Sequence, residues 1–118
     1  MKYLCLIYSE EKIWQTMPKA EVDSMLAEYM AFGASIQTTG QYLGGNRLQP
    51  THTAATVRIR QGKLSTTDGP FAETKEQLGG YYLVEATDLN EAIQIASRIP
   101  GARVGSIEVR PIWSLPAE

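Results

Sequence analysis

Apolar residues recur along this chain in two rhythms, every second position in some stretches and every third or fourth in others. Lys2 to Tyr8 is short, rich in Tyr, Leu and Ile, and bounded by Ser9-Glu10-Glu11, which predicts a strand. Alternation puts Leu4, Leu6 and Tyr8 on one face and Tyr3, Cys5 and Ile7 on the other. Both faces are apolar, so the strand is expected to be covered on both sides. Glu11 to Met17, with Trp14, reads as a loop. Pro18 suits the first turn of a helix, and Glu21 and Asp23 suit the positive end of its dipole. Val22, Met25, Leu26, Tyr29, Met30, Gly33 and Ile36 then recur at helical spacing, which predicts a helix over 18–37 with this stripe as its core face and Gly40 as its stop.

Gln41 to Leu48 reads as a strand bent by Gly44-Gly45, and Gln49 to Thr53 as a loop. Ala54 to Arg60 and Lys63 to Thr67 flank Gln61-Gly62 and predict a β-hairpin, with Val57 and Ile59 on one face and Thr56, Arg58 and Arg60 on the other. Asp68-Gly69-Pro70 excludes a helix, because the residue before proline is pushed out of the α region. Glu73 to Leu78 has room for one helical turn before Gly79-Gly80, and Tyr81 to Ala86 is a second strand apolar on both faces. Asp88 and Glu91 have capping-box spacing ahead of a helix whose stripe is Leu89, Ala92, Ile93, Ala96 and Ile99, ended by Pro100-Gly101. Val104 to Ile112 closes the pattern as a strand with Ile107 and Val109 on one face and Ser106, Glu108 and Arg110 on the other.

The order β-α-β-(hairpin)-β-α-β predicts an α+β domain, a ferredoxin-like βαββαβ unit with an inserted hairpin. Two helices cover only one face of such a sheet. Strands apolar on both faces need a further layer, and a second copy packed sheet against sheet supplies it, which predicts a homodimer.

Totals change this picture little. The chain of 118 residues is one domain by length. A net charge of −2, with no cluster of Lys and Arg, argues against nucleic acid as a partner. The single cysteine, Cys5, excludes an intrachain disulfide and fits a reducing compartment. The first ten residues lack the long apolar region of a secretory signal, and no run approaches the roughly 20 apolar residues of a membrane span. A cytoplasmic protein with no membrane partner is expected.

Candidate chemistry concentrates between Ser65 and Tyr82. Asp68 suits a general base, or the acceptor of an Asx-turn that locks the bend. Glu73 and Glu76 would share one side of a helical turn, where neighbouring carboxylates raise one another's pKa; the competing reading is a solvated loop with a local Lys75 ion pair. Gly79-Gly80 lacks the spacing of a phosphate loop and suits close backbone approach instead. Tyr81 and Tyr82 point to opposite faces. Cys5 reads as an inert buried thiol, and His52 has no partner at zinc-ligand spacing, so neither metal nor cofactor is expected.

Asp68-Gly69-Pro70-Phe71, continuing through Ala72-Glu73-Thr74-Lys75-Glu76-Gln77-Leu78-Gly79-Gly80-Tyr81-Tyr82, resembles the DGPF branch of the YCII-related (YciI-like) family. So do Asp88-Leu89-Asn90-Glu91-Ala92, Ser97-Arg98-Ile99-Pro100 and Glu108-Val109-Arg110-Pro111-Ile112, and the likeness runs from Met1 to about Trp113. The resemblance implies a dimeric α/β-barrel, ferredoxin-like in each subunit, in a bacterial family largely without assigned reactions. Some members of the branch are encoded beside extracytoplasmic-function sigma factors, which makes a sigma factor a candidate partner and a regulatory binding module the alternative function. Shorter relatives use a histidine on the first helix paired with an aspartate. The helix over 18–37 holds no histidine, and His52 lies elsewhere, so that dyad has no counterpart here.

Two functions follow as expectations. One is an enzyme that acts without a cofactor on a small molecule in the barrel cleft, by proton abstraction, isomerisation or elimination. Asp68 would be its base, Glu73 or Glu76 its acid or modulator, Lys75 and Arg110 its anion holders, and Tyr81 or Tyr82 a hydrogen-bond donor. The other is the non-catalytic module.

Overall fold

The computed structural model describes residues 1–114. Its strands and helices are β1 (Lys2–Ser9), α1 (Glu11–Thr16), α2 (Lys19–Thr38), β2 (Tyr42–Arg47), β3 (Ala55–Arg60), β4 (Lys63–Asp68), β5 (Gln77–Glu85), α3 (Leu89–Ser97) and β6 (Ser106–Pro111), with short 3-10 turns at Thr51–Thr53 and Pro100–Arg103. Four strands form an antiparallel sheet in the order β2-β5-β1-β6. β1 is therefore parallel to β2 across β5, and β5 is parallel to β6 across β1. Each β-α-β crossover skips one strand, and the architecture is α+β.

The core lies on one face of this sheet. Tyr3, Cys5 and Val84 from the strands share a buried cluster with Phe32 and Ile36 of α2 and with Ala92, Ile95 and Ala96 of α3. Both long helices consequently cover the face that holds the odd residues of β1. On the opposite face Leu4, Leu6, Tyr8 and Leu83 are half-buried.

α3 starts as its spacing predicts. The Asp88 carboxylate accepts from the Glu91 amide at 2.9 Å, and the Glu91 carboxylate accepts in return from the Thr87 amide at 3.0 Å. Its buried row is Ala92, Ile95, Ala96 and Ile99, whereas Leu89 and Ile93, both expected inside, are about half exposed. In α2 the inner row is Met25, Tyr29, Phe32 and Ile36, spaced by four, three and four residues. Leu26 and Met30 belong to the adjacent row and remain exposed, at 40% and 77%. The apolar stripe of α2 is wider than the core it covers.

Two segments differ from the sequence reading. Glu11–Thr16 is a short helix, not a loop, closed by the Met17 amide donating to the Ile13 carbonyl at 2.9 Å. Glu73 to Leu78 makes no helical turn. The Thr74 hydroxyl and the Gln77 side chain bond within the segment instead, and Gln77 already begins β5.

β3 and β4 form a separate two-stranded antiparallel sheet, joined at Gln61-Gly62. Both turn residues have positive φ, 52° and 76°, as the twist of a two-residue connection requires. This arm contacts the rest of the chain sparsely. Val57, Ile59 and Leu64 are exposed at 61%, 66% and 69%.

Cys5 is wholly buried, and burial pushes its thiol up from 9.0 to about 11. An acid whose folded pKa is raised contributes stability that is complete below its unfolded pKa and lost as pH rises through the folded one. Two units correspond to about 3 kcal/mol, lost between pH 9 and 11. Urea titrations across that window should show a flatter pH dependence for Cys5→Ala than for the native chain. Parallel curves would show that the thiol carries none of the loss.

Candidate functional site

Between α2 and the sheet lies a cavity of about 490 Å3. The outer row of α2 forms its roof: Leu26, Met30, Gly33, Ala34 and Gln37 all line it. The excess width of the apolar stripe is thus spent on a cavity wall rather than on the core. Tyr29, Tyr42, Tyr82 and Trp14 supply aromatic surface, and Ile7, Gly45, Gly80 and Gly101 line the strand side.

Those glycines keep the space open and the backbone close. A Cβ on Gly80 would stand 2.9 Å from the Asn46 carbonyl oxygen, so the β2–β5 pairing requires glycine there, as the sequence suggested for the glycine pair. A Cβ on Gly101 would stand 2.5 Å from the Tyr29 hydroxyl, which accepts a hydrogen bond from the Gly101 amide at 3.1 Å. Tyr82 packs edge-on to Phe32 with ring centroids 5.1 Å apart and to Tyr42 at 6.4 Å.

Polar groups are few and arranged with spare capacity. Ser9 is 8% exposed, and its hydroxyl accepts from Trp14 Nε1 at 3.3 Å. Tyr29 and Ser9 therefore each use an acceptor lone pair, and among the described residues neither O–H has an acceptor, which leaves both protons for a ligand. Burial raises the pKa of Tyr29 against the smaller opposing effects of the Gly101 hydrogen bond and the Arg47 and Arg103 charges. Burial, assisted by Tyr29 and Tyr42, likewise raises Tyr82. Near neutrality these phenols are donors, not bases. Arg47 is exposed and lines the cavity, its guanidinium 5.7 Å from the Trp14 ring centroid, with no carboxylate partner among the described residues.

A second cavity of about 370 Å3 adjoins the first and shares Ser9, Trp14, Arg47 and Gly79 with it. Its walls are more polar, with Glu11, Gln15, Gln49 and Gln77. Glu11 is already engaged, because its carboxylate accepts from the Thr51 amide at 2.9 Å and the Thr51 hydroxyl at 2.5 Å. Among the described residues no group of three or more His, Cys, Asp or Glu stands close enough to hold a metal ion, and no helix is long and apolar enough to cross a membrane.

The residues singled out from sequence are dispersed. Tyr82 lines the larger cavity with its side chain on the helix-covered face. Tyr81 also lines the larger cavity, but its side chain alternates to the other face, where its hydroxyl accepts from Asn46 Nδ2 at 2.9 Å. Asp68, at the end of β4, is exposed, and its carboxylate makes no hydrogen bond among the described residues, so the Asx-turn is absent. The bend is held by the Gly69 amide donating to the Ala54 carbonyl at 2.7 Å. Glu73 and Lys75 are exposed, and no ion pair joins them. Glu76 is half-buried and accepts from the Ser106 hydroxyl at 2.8 Å. Arg110 is exposed and paired with Glu108 on β6. None of Asp68, Glu73, Lys75, Glu76 or Arg110 lines either cavity.

Sequence reasoning missed Ser9, Trp14, Tyr29, Tyr42 and Arg47 as site residues. The available signal was the α2 stripe, seven apolar positions wide where a helix lying on a sheet needs fewer.

Comparison with known proteins adds three findings. The model of the YCII-related domain matches residues 1–116. An uncharacterised protein of Rhizobium meliloti (strain 1021) is 38% identical over 114 residues, covering 95% of this chain and 92% of its own length. A solved structure of 5-chloro-2-hydroxyhydroquinone dehydrochlorinase from Burkholderia phenoliruptrix AC1100, in complex with 2,5-dihydroxybenzoquinone, superposes with a TM-score of 0.55 at 14% identity, over 97% of this chain and 94% of that one. At that identity the likeness is one of fold.

Proposed function

The chain belongs to the YCII-related family, and from that premise we propose that it is an enzyme which binds a small planar molecule beneath α2 and moves a proton on it, by isomerisation or elimination, without a cofactor. The observation that carries this reading is the larger cavity itself. It joins aromatic walls to two hydroxyl protons without acceptors and to an uncommitted guanidinium. Those groups suit a ring on which negative charge develops at oxygen, because pre-placed donors in a dry site stabilise such charge strongly. The dehydrochlorinase of like fold, solved with a dihydroxylated quinone, supports a ligand of that size and shape.

A proton transfer also needs a base, and the cavity lining offers no carboxylate. In this reading Asp68 is the base, Glu73 or Glu76 its acid or modulator, and Lys75 and Arg110 further anion holders. Within their own chain they stand outside the cavity, so this reading requires a second subunit whose exposed β3–β4 arm, ending at Asp68, reaches round the sheet edge to the cavity on the helix-covered face. The homodimer is supported by the half-buried Leu4, Leu6, Tyr8 and Leu83 on the sheet face without helices, and by the exposed apolar residues of the arm. Light scattering should give twice the 13.0 kDa chain mass, and Leu6→Asp should give the monomer. A native chain that stayed monomeric at high micromolar concentration would remove the dimer from the proposal.

The functional reading is tested by thermal shift against hydroxylated benzenes and quinones, beginning with 2,5-dihydroxybenzoquinone. A binder at a hundredfold excess over its Kd stabilises by about 2.7 kcal/mol, which raises Tm by several degrees. No shift from any compound, with a folded protein, would count decisively against the reading. For a compound that is turned over, Asp68→Asn should abolish turnover and keep binding.

A further inference from the structure

We infer that the two adjoining cavities form one divided site for a planar ring that carries an anionic group, with Arg47 on Trp14 as the element that recognises the anion. This rests on the reading of the larger cavity as a ligand site and specifies the class of ligand.

The division is chemical. The larger chamber is walled mainly by aromatic and aliphatic side chains, and the smaller one sets Gln15, Gln49, Gln77 and the engaged Glu11 beside Leu48, Pro50 and Leu78. Arg47 and Trp14 belong to both, so a molecule spanning the chambers passes their paired side chains. The arrangement fixes what Arg47 can do. Its guanidinium carbon lies over the Trp14 ring at 5.7 Å from the centroid, a cation–π contact that commits none of its N–H groups, and among the described residues none of them donates to a side chain or carboxylate. Those donors match a carboxylate in two parallel hydrogen bonds. Trp14 is itself held in place by Nε1 donating to Ser9 at 3.3 Å, and α1 is fastened by the Glu11 amide donating to Gln77 Oε1 at 3.0 Å. The platform beneath the guanidinium is therefore pre-positioned. Among the described residues Glu11 is the one carboxylate lining the smaller chamber. Both its oxygens face Thr51, and it forms no ion pair with Arg47.

The ligand must then carry an apolar planar body for the larger chamber and a carboxylate or comparable anion one or two bonds from the ring. A neutral ring would fill the larger chamber and leave Arg47 without a partner.

The experiment compares 4-hydroxyphenylacetate with 4-methylphenol, the same ring with and without the carboxylate. Binding is read from the fluorescence of Trp14 in a Trp113→Phe background, which removes the other tryptophan, 85% exposed. The acid should bind at least tenfold more tightly than the phenol. In Arg47→Gln the ratio should fall to within twofold, and in Arg47→Lys, which keeps the charge and loses the fork, it should lie between. Equal affinity in the native chain, or a preference that survives in Arg47→Gln, overturns the inference and leaves the ligand cavity standing. Binding of neither compound overturns both. Should Arg47→Gln fail to fold, the native and Arg47→Lys ratios decide alone.

Discussion

Phe32→Ala should destabilise the protein by about 3–5 kcal/mol, read as a fall in the denaturant midpoint at unchanged m-value. Phe32 is 5% exposed and sits where three systems meet. Its ring packs edge-on to Tyr82 at 5.1 Å, the Arg98 guanidinium lies 5.6 Å from its centroid, and it shares the buried cluster with Ile36, Val84 and Ile95. Truncation removes apolar contact and leaves a void behind Tyr82 in the wall of the larger cavity, so Tyr82 loses its support. The adjacent row of the same helix gives the contrast. Met30 is 77% exposed at the cavity roof, and Met30→Ala should change stability by about 0.5 kcal/mol or less. A similar cost at both positions would mean that α2 is seated on the sheet through a different face.

Gly105→Ala should be as damaging by the opposite route. A Cβ there would overlap the carbonyl oxygen of Tyr8 and stand 2.9 Å from the Cβ of Ser9. The obstacle is backbone, which cannot swing aside as the end of a flexible side chain can. Tyr8 pairs with Ser106 at the end of the β1–β6 ladder, so that end of the pairing must open. Overpacking of this kind costs about 3 kcal/mol, or more when strand pairing is lost. Because Ser9 lies beside the clash and lines both chambers, Gly105→Ala should also weaken ligand binding in whatever fraction remains folded. Gly33→Ala is the control, since nothing lies within 4 Å of a Cβ added there and helix propensity improves. Equal stability of the two variants would refute the close approach of β6 to β1.

Much of the framework was legible because it rests on local signals. The capping pair Asp88 and Glu91, the breaks at Gly40 and Asp68-Gly69-Pro70, and the alternation of Tyr3, Cys5 and Ile7 each act within a few residues. The errors have physical causes of the same kind. Trp14 and Ile13 occur in six residues, too short for a helical period to show, so α1 looked like a loop. Ile95 and Phe32 were left outside their stripes because both helices carry more apolar positions than one contact line can bury, and only the sheet decides which row faces inward. The site was much less legible. Charge density drew attention to Asp68, Glu73, Lys75 and Glu76, yet the cavity's aromatic and polar groups include tyrosines, a tryptophan, a serine and one arginine contributed by β1, α1, α2, β2 and β5. No spacing rule connects Ser9 to Tyr29 or to Arg47; the fold alone brings them together.

The position of β1 in the sheet has a consequence for how the chain acquires its shape. β1 precedes both of its neighbours in the chain, β5 and β6, with Tyr3 opposite both Val84 and Pro111. During synthesis it leaves the ribosome without either partner. Its β5 edge must wait for residues 77–85 and its β6 edge for residues beyond 105, because contacts across such separations repay their loop-closure entropy only at the end. The 3-10 turn with Gly101 that anchors Tyr29 emerges scarcely earlier. The chamber beneath α2 is therefore a late product of folding, and nascent chains halted before β6 should be held by chaperones and be unable to bind ligand.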